Sequence, residues 1–153
     1  MRIALGCDHR GFPYKAELIR ALTEDGHEVV DLGTHSTDPV DYPDYAWLVG
    51  VDVRDGRVEA GILICGSGAG VSIAANKIRG VRAALCHDPF TARQSREDDD
   101  ANVLCLGTAV VSLPSAIALA RTFLAARFSH EERHARRLGK VLALENEPDR
   151  GER

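Results

Sequence analysis

The sequence predicts one α/β domain: a five-stranded parallel sheet with helices on both faces. Three observations predict it. Five short apolar runs recur along the chain, segments of helical periodicity separate them, and the 153 residues suffice for one such unit. A domain of this size buries about two-thirds of the surface its unfolded chain exposes.

The first run, "RIALGC" (2–7), reads as a buried strand. "FPYKAELIRALTEDG" (12–26) repeats its apolar residues at helical spacing and closes on glycine. "HEVVDLG" (27–33) gives the second strand, and the polar loop "THSTDPVDYP" follows it. Pro43 then opens a helix through "DYAWLVGVDVRDG", as proline does in a first turn. The third strand is "AGILIC" (60–65), followed by a glycine loop and a helix to about Arg79. "VRAALC" (81–86) is the fourth strand, leading to a helix near 89–97, and "NVLCLG" (102–107) is the fifth. Two helices near 113–127 and 131–146 complete a domain spanning 1–146, and the charged tail 147–153 is expected to fray.

Composition excludes several classes of function. A net charge of -4 disfavours nucleic acid and anionic membrane as partners. No apolar run reaches the roughly 20 residues of a membrane span, and the N-terminus turns polar too early for a signal peptide. A cytoplasmic location is therefore expected. The four cysteines (Cys7, Cys65, Cys86 and Cys105) lack paired spacing, so neither zinc nor a dithiol is expected. Cys7, Cys86 and Cys105 read as small buried hydrophobes.

Cys65 differs, because it closes a strand where "GSGAG" (66–70) opens onto a helix. Backbone amides in Gly66, Ser67, Gly68, Ala69 and Gly70, with the helix end behind them, suit an anion or a developing oxyanion. Such surroundings also favour a thiolate, which makes Cys65 a candidate base or nucleophile. A dinucleotide fingerprint is disfavoured, since Val71 stands where its third glycine belongs and the loop follows the third strand. A phosphate-binding P-loop is excluded, because no Gly-Lys-Ser/Thr follows.

In a parallel sheet the ligand lies at the carboxyl ends of the strands. That places "CDHRG" (7–11), His87-Asp88 and Gly107-Thr108-Ala109 beside Cys65. Asp8 reads either as a sugar ligand or as the cap of the next helix. Arg133 and Arg137, four apart on a helix, share one face and suit a phosphate, with His134 and Arg136 adding positive charge. "EDDD" (97–100) reads as a helix end.

Together "GCDHRGF", "DYPDYA", "GILICGSGAGVSIAANK", "RAALCHDPFTARQSRE", "NVLCLG" and "RHARR" resemble the ribose-5-phosphate isomerase type B family, which includes the galactose-6-phosphate isomerase subunits. The resemblance runs from residue 2 to about 146. It implies a Rossmann-like three-layer domain with an extended C-terminal helix. It also implies a cofactor-free and metal-free aldose–ketose isomerase, working as a homodimer or homotetramer with active sites between subunits. On that resemblance Cys65 matches the base that moves a proton between C1 and C2 through an enediolate. Gly66 to Gly70 match the loop holding the sugar oxygens, and Ser67 a hydroxyl that assists proton movement. Asp8 and His9 match sugar and phosphate contacts, while Arg133 and Arg137 match phosphate-binding arginines.

Two departures from the family pattern bear on the substrate. Asp98 stands where a histidine assigned to sugar-ring opening is usual, so Asp98, His87 or His9 takes that task, or the substrate is already open-chain. A carboxylate is ordinarily a poor acid at neutral pH. Ala109 replaces a common arginine, and Asp99 lies where a neutral amide is frequent. The expected substrate is ribose 5-phosphate, with a tetrose, hexose or other pentose phosphate as the alternative. A non-catalytic sugar-phosphate binder is the rival outside enzymology, and a nicotinamide-dependent oxidoreductase is more distant.

Overall fold

A computed structural model describes residues 1–146, so the expected fraying of 147–153 lies outside the described residues. Eleven elements follow one another: β1 (Arg2–Cys7), α1 (Phe12–Glu24), β2 (Glu28–Asp31), α2 (Tyr42–Arg54), β3 (Ala60–Cys65), α3 (Ala69–Ala75), β4 (Ala83–Leu85), α4 (Pro89–Asp99), β5 (Val103–Gly107), α5 (Leu113–Ala125) and α6 (Glu132–Leu144). All pairings are parallel and the strand order is β2-β1-β3-β5-β4.

The central strand β3 is buried at all six positions, because it has a strand on each side and helices above and below. Its alternation decides the two layers. Ile62 and Ile64 join Leu18 and Leu22 of α1 and Leu119 and Phe123 of α5 on one face. Leu63 and Cys65 join Ala46 and Val49 of α2 and Val71 and Ala75 of α3 on the other. Each fully buried Leu, Ile or Phe contributes about 1.5–3 kcal/mol relative to exposure. Helix α4 packs beside α5, and α6 lies against α4 beyond the β4 edge.

The differences from the sequence reading fall where side chains intervene. The helix expected to reach Arg79 stops at Ala75. Asn76 donates to the Ser72 and Ala83 carbonyls and accepts from the Ala83 amide, which turns the chain back into β4. Strands β2 and β4 are shorter than the runs that announced them, four and three residues. Each is a sheet edge with a single neighbour, so less of its length is held in the ladder. None of the helices in the described residues is long and apolar enough to cross a membrane.

The connections from β1 and β3 leave toward opposite faces, to α1 and α3. A crevice opens where neighbouring connections part in this way. The loops that follow β1 and β3 form its walls.

Candidate active site

Cys65 ends β3 with its sulfur on the α3 face, 5% exposed. The next five residues bend around it. Gly68 has φ of +79°, a left-handed conformation that suits glycine, and its amide donates to the Cys65 sulfur at 3.1 Å. The Ala69 amide donates to Ser67 Oγ at 3.3 Å, so the exposed hydroxyl is held over the start of α3.

Neighbouring strand ends lace the loop in place. The Thr108 amide donates to the Cys65 carbonyl at 3.0 Å and the Ala109 amide to that of Gly66 at 2.9 Å. Thr108 Oγ1 in turn donates to the Arg10 carbonyl at 3.0 Å, which joins the loops after β1 and β5. The Arg10 side chain lies against Gly66 and the Tyr42 ring against Gly70. A methyl at either glycine would meet those side chains at 2.7 and 2.8 Å.

Asp8 is 5% exposed, and its Oδ1 accepts the Arg10 and Gly11 amides at 2.9 and 3.0 Å. It therefore caps the turn into α1 with one oxygen. His9 Nδ1 accepts the Val40 amide at 3.2 Å, which puts the neutral ring's proton on Nε2. His87, just past β4, accepts the Gly107 amide on Nε2 at 3.1 Å, so its neutral ring carries the proton on Nδ1. Gly107 is the register partner of Cys65, which sets this imidazole beside the loop.

The other three cysteines sit in different surroundings. Burial pushes the Cys7 thiol up to about 11, against the opposing charge of Lys15. Burial likewise raises Cys86 and Cys105, the latter far above the usual thiol range.

Of the remaining sequence candidates, Asp98 and Asp99 lie on α4, Arg133 and Arg137 on α6. Asp98 is half-buried, accepts from Gln94 Nε2 at 3.1 Å and lies 3.6 Å from His134 Nε2. Asp99 is exposed, as is Ala109 on the loop after β5. Arg133 and Arg137 are exposed on α6, where the Arg133 guanidinium donates to His134 and pairs with Glu131 of its own segment. Among the described residues no hydrogen bond joins either arginine to the Cys65 loop. His134, expected to add surface charge, is buried at 4% exposure instead. Arg136 is neutralised by Glu132 at 3.1 Å.

The structure places Asp8 and His9 after β1, Cys65 and Ser67 at the end of β3, and His87 after β4, the strand ends named from sequence. Sequence reasoning missed Tyr42, whose ring reaches Gly70 from the start of α2. Only the "DYP" turn before α2 hinted at Tyr42. Chemically, the crevice offers a sulfur with an amide donor on it, a hydroxyl, two imidazoles with fixed tautomers and several backbone amides.

The matching family model is described as Ribose/Galactose Isomerase and covers residues 3–141. Ribose-5-phosphate isomerase B of Escherichia coli is 46% identical over 94% of this chain and 96% of its own. The solved structure of ribose-5-phosphate isomerase B from Clostridium thermocellum superposes with a TM-score of 0.93 at 46% identity, covering 95% of this chain and 98% of that one. Ribose-5-phosphate isomerase B from Mycoplasma genitalium, solved with bound ribulose-5-phosphate, gives 0.91 at 40% identity over 96% and 97%. A parallel sheet, a cysteine under a glycine loop and this near-complete likeness converge: the chain belongs to the ribose/galactose isomerase family, among its ribose-5-phosphate isomerase B-like members.

Proposed function

We propose that this enzyme interconverts ribose 5-phosphate and ribulose 5-phosphate, with Cys65 as the base. The observation that carries the reading is the amide donor on the Cys65 sulfur at the mouth of an amide-lined loop. The Cys65 thiolate removes the C2 proton of the open-chain aldose, and the C–H electrons form a C1–C2 double bond. Charge passes to O1, where the backbone amides of 66–70 stabilise the enediolate. Ser67 relays the O2 proton to O1, and the Cys65 thiol returns its proton to C1, leaving the carbonyl at C2. A positioned base contributes about 10²–10⁴-fold, and the loop supplies the stabilisation without which the carbon proton does not leave.

His9 and His87 each present one N–H in the neutral state, suited to donating to sugar oxygens or phosphate. Asp8 Oδ2 receives a sugar hydroxyl. Arg133 and Arg137 bind the phosphate. Because no hydrogen bond among the described residues joins them to the Cys65 loop of their own chain, they serve the site of a second copy. Trp47, Leu48 and Ile73, exposed at 56%, 45% and 64% on α2 and α3 beside the loop, support a homodimer closing over this face.

Proton exchange followed by NMR in D₂O tests the reading, with ribose 5-phosphate and other aldose phosphates on wild type and Cys65→Ala. Deuterium entering at the carbon together with ketose formation is expected only in the wild type. Exchange that persists in Cys65→Ala removes the thiol from the mechanism. No exchange with any sugar turns the reading toward a binding protein. Faster exchange on another sugar phosphate names that one as the substrate.

A further inference from the structure

A buried histidine sits between a cation and an anion that it can serve only one at a time. His134 Nδ1 lies 2.6 Å from Ser129 Oγ, which already accepts the Glu131 amide at 3.2 Å. Ser129 is itself fixed to α4, since its amide donates to the Glu97 carbonyl at 2.9 Å. On the other side of the ring, Arg133 Nε donates to His134 Nε2 at 3.1 Å. An N–H donor aimed at Nε2 requires a lone pair there. The ring is therefore neutral, with its proton on Nδ1 and donated to Ser129.

The same Nε2 lies 3.6 Å from Asp98 Oδ1, too far for a hydrogen bond in this arrangement. A second proton on the ring reverses these relations. Nε2–H then points its hydrogen at the Arg133 N–H, which it repels, and the Asp98 carboxylate becomes its natural acceptor. The charged groups facing the ring are Asp98 from α4 and Arg133 from α6, with Glu131 at one remove, 3.0 Å from Arg133 Nη2.

We infer that His134 is a positioning residue that holds Arg133 when neutral and releases it to pair with Asp98 when protonated. Held through Nε, with Glu131 pairing at Nη2, the exposed guanidinium offers its other Nη hydrogens to a phosphate, which accepts them side by side. Phosphate binding through Arg133 is thereby strongest at neutral pH and weakens as acid charges the ring. The inference rests on the reading of Arg133 as a phosphate ligand. It also gives Asp98 a task that does not require it to be an acid.

Two measurements test it on the full chain. The first needs no activity. With ¹⁵N-labelled histidine, NMR at pH 8 is expected to show the His134 proton on Nδ1 and none on Nε2. A proton on Nε2 at pH 8 overturns the inference. The second reads KM and kcat for ribose 5-phosphate between about pH 5.5 and 8, the range in which histidine changes charge. Wild type is expected to lose affinity toward acid, with KM rising about tenfold and kcat moving little. His134→Gln can accept from Arg133 but cannot gain a proton, so its KM is expected to stay low and lose this rise. His134→Leu is expected to show the high KM at every pH. Coincident profiles for wild type and His134→Gln overturn the positioning role. Absence of turnover with any sugar defeats the isomerase reading instead, while the NMR result still decides the switch.

Discussion

The Gly68 amide points at the sulfur of Cys65 from 3.1 Å, held there by a backbone φ of +79°. Because this donor belongs to the main chain, its aim depends on the shape of the turn and on no side-chain rotamer. Replacement of Gly68 by Ala is expected to damage stability and rate together. Its methyl would meet Leu85 Cδ1 at 2.5 Å and the Leu106 carbonyl carbon at 2.9 Å, in a conformation that costs an L-residue about 1–2 kcal/mol. Alanine keeps the amide, so the expected fall in kcat, up to about 10²–10³-fold, comes from a turn that no longer aims it. Thermal unfolding and steady-state kinetics on one preparation check both.

Arg133→Ala and Arg137→Ala are expected to raise KM for phosphorylated sugars by about ten- to a hundredfold each, because each removes a charge-assisted contact. kcat is expected to fall far less. Mixing Cys65→Ala with an Arg133→Ala, Arg137→Ala double variant separates the arrangements. If each site takes its arginines from the partner, hybrid dimers contain one intact site and regain activity. Activity that stays absent on mixing places the arginines and Cys65 in the same copy.

Ring opening is expected to depend on His87, whose imidazole rests on the register partner of Cys65. A 4-phosphotetrose makes the comparison clean, since its C4 oxygen is esterified and it cannot close a five-membered ring. His87→Asn is expected to slow ribose 5-phosphate by about 10²-fold, as loss of a positioned acid does, while erythrose 4-phosphate is little affected. Equal loss on both sugars would assign His87 to the proton transfer itself. Loss in His9→Asn alone would move the task to His9.

Acid is expected to unlock α5 from the end of α1. Arg121 grips Asp25 with two bonds of 2.6 and 3.0 Å, and that hydrogen bonding holds the Asp25 carboxyl below its usual range. A carboxylate depressed in the folded state stabilises the fold above its unfolded value, about 3.9, and loses that contribution as pH falls through the folded one. Urea unfolding of wild type and Asp25→Asn should therefore differ at pH 7 and converge as pH falls through the depressed folded-state value. A gap that stays constant with pH would exclude the pair as its source.

Much of the fold was legible because apolar runs and helical periods are local signals. Strand β3 was read as 60–65 and is found there, since burial on both faces makes it uniformly apolar and a glycine loop closes it. The end of α3 was not legible, because it depends on Asn76 bonding a strand that comes later in the chain. In the site, Cys65 and its loop announced themselves as neighbours in sequence. Tyr42 did not, since it meets Gly70 only through folding. His134 was read as one more charge among arginines, and its burial against α4 reversed that meaning.

The contacts of Arg10 on Gly66 and Tyr42 on Gly70 have a consequence for the thermodynamics of substrate capture. Side chains of the protein itself pack the turn around Cys65, so its order is established during folding and owes nothing to an arriving sugar. Little conformational entropy remains to be surrendered there on binding. On the proposed reading, the ordering that accompanies recognition falls on α6, chiefly on exposed Arg137, since His134 already holds Arg133. Changes along α6 should therefore show up in the entropy of binding, and changes in the turn around Cys65 in the height of the chemical barrier.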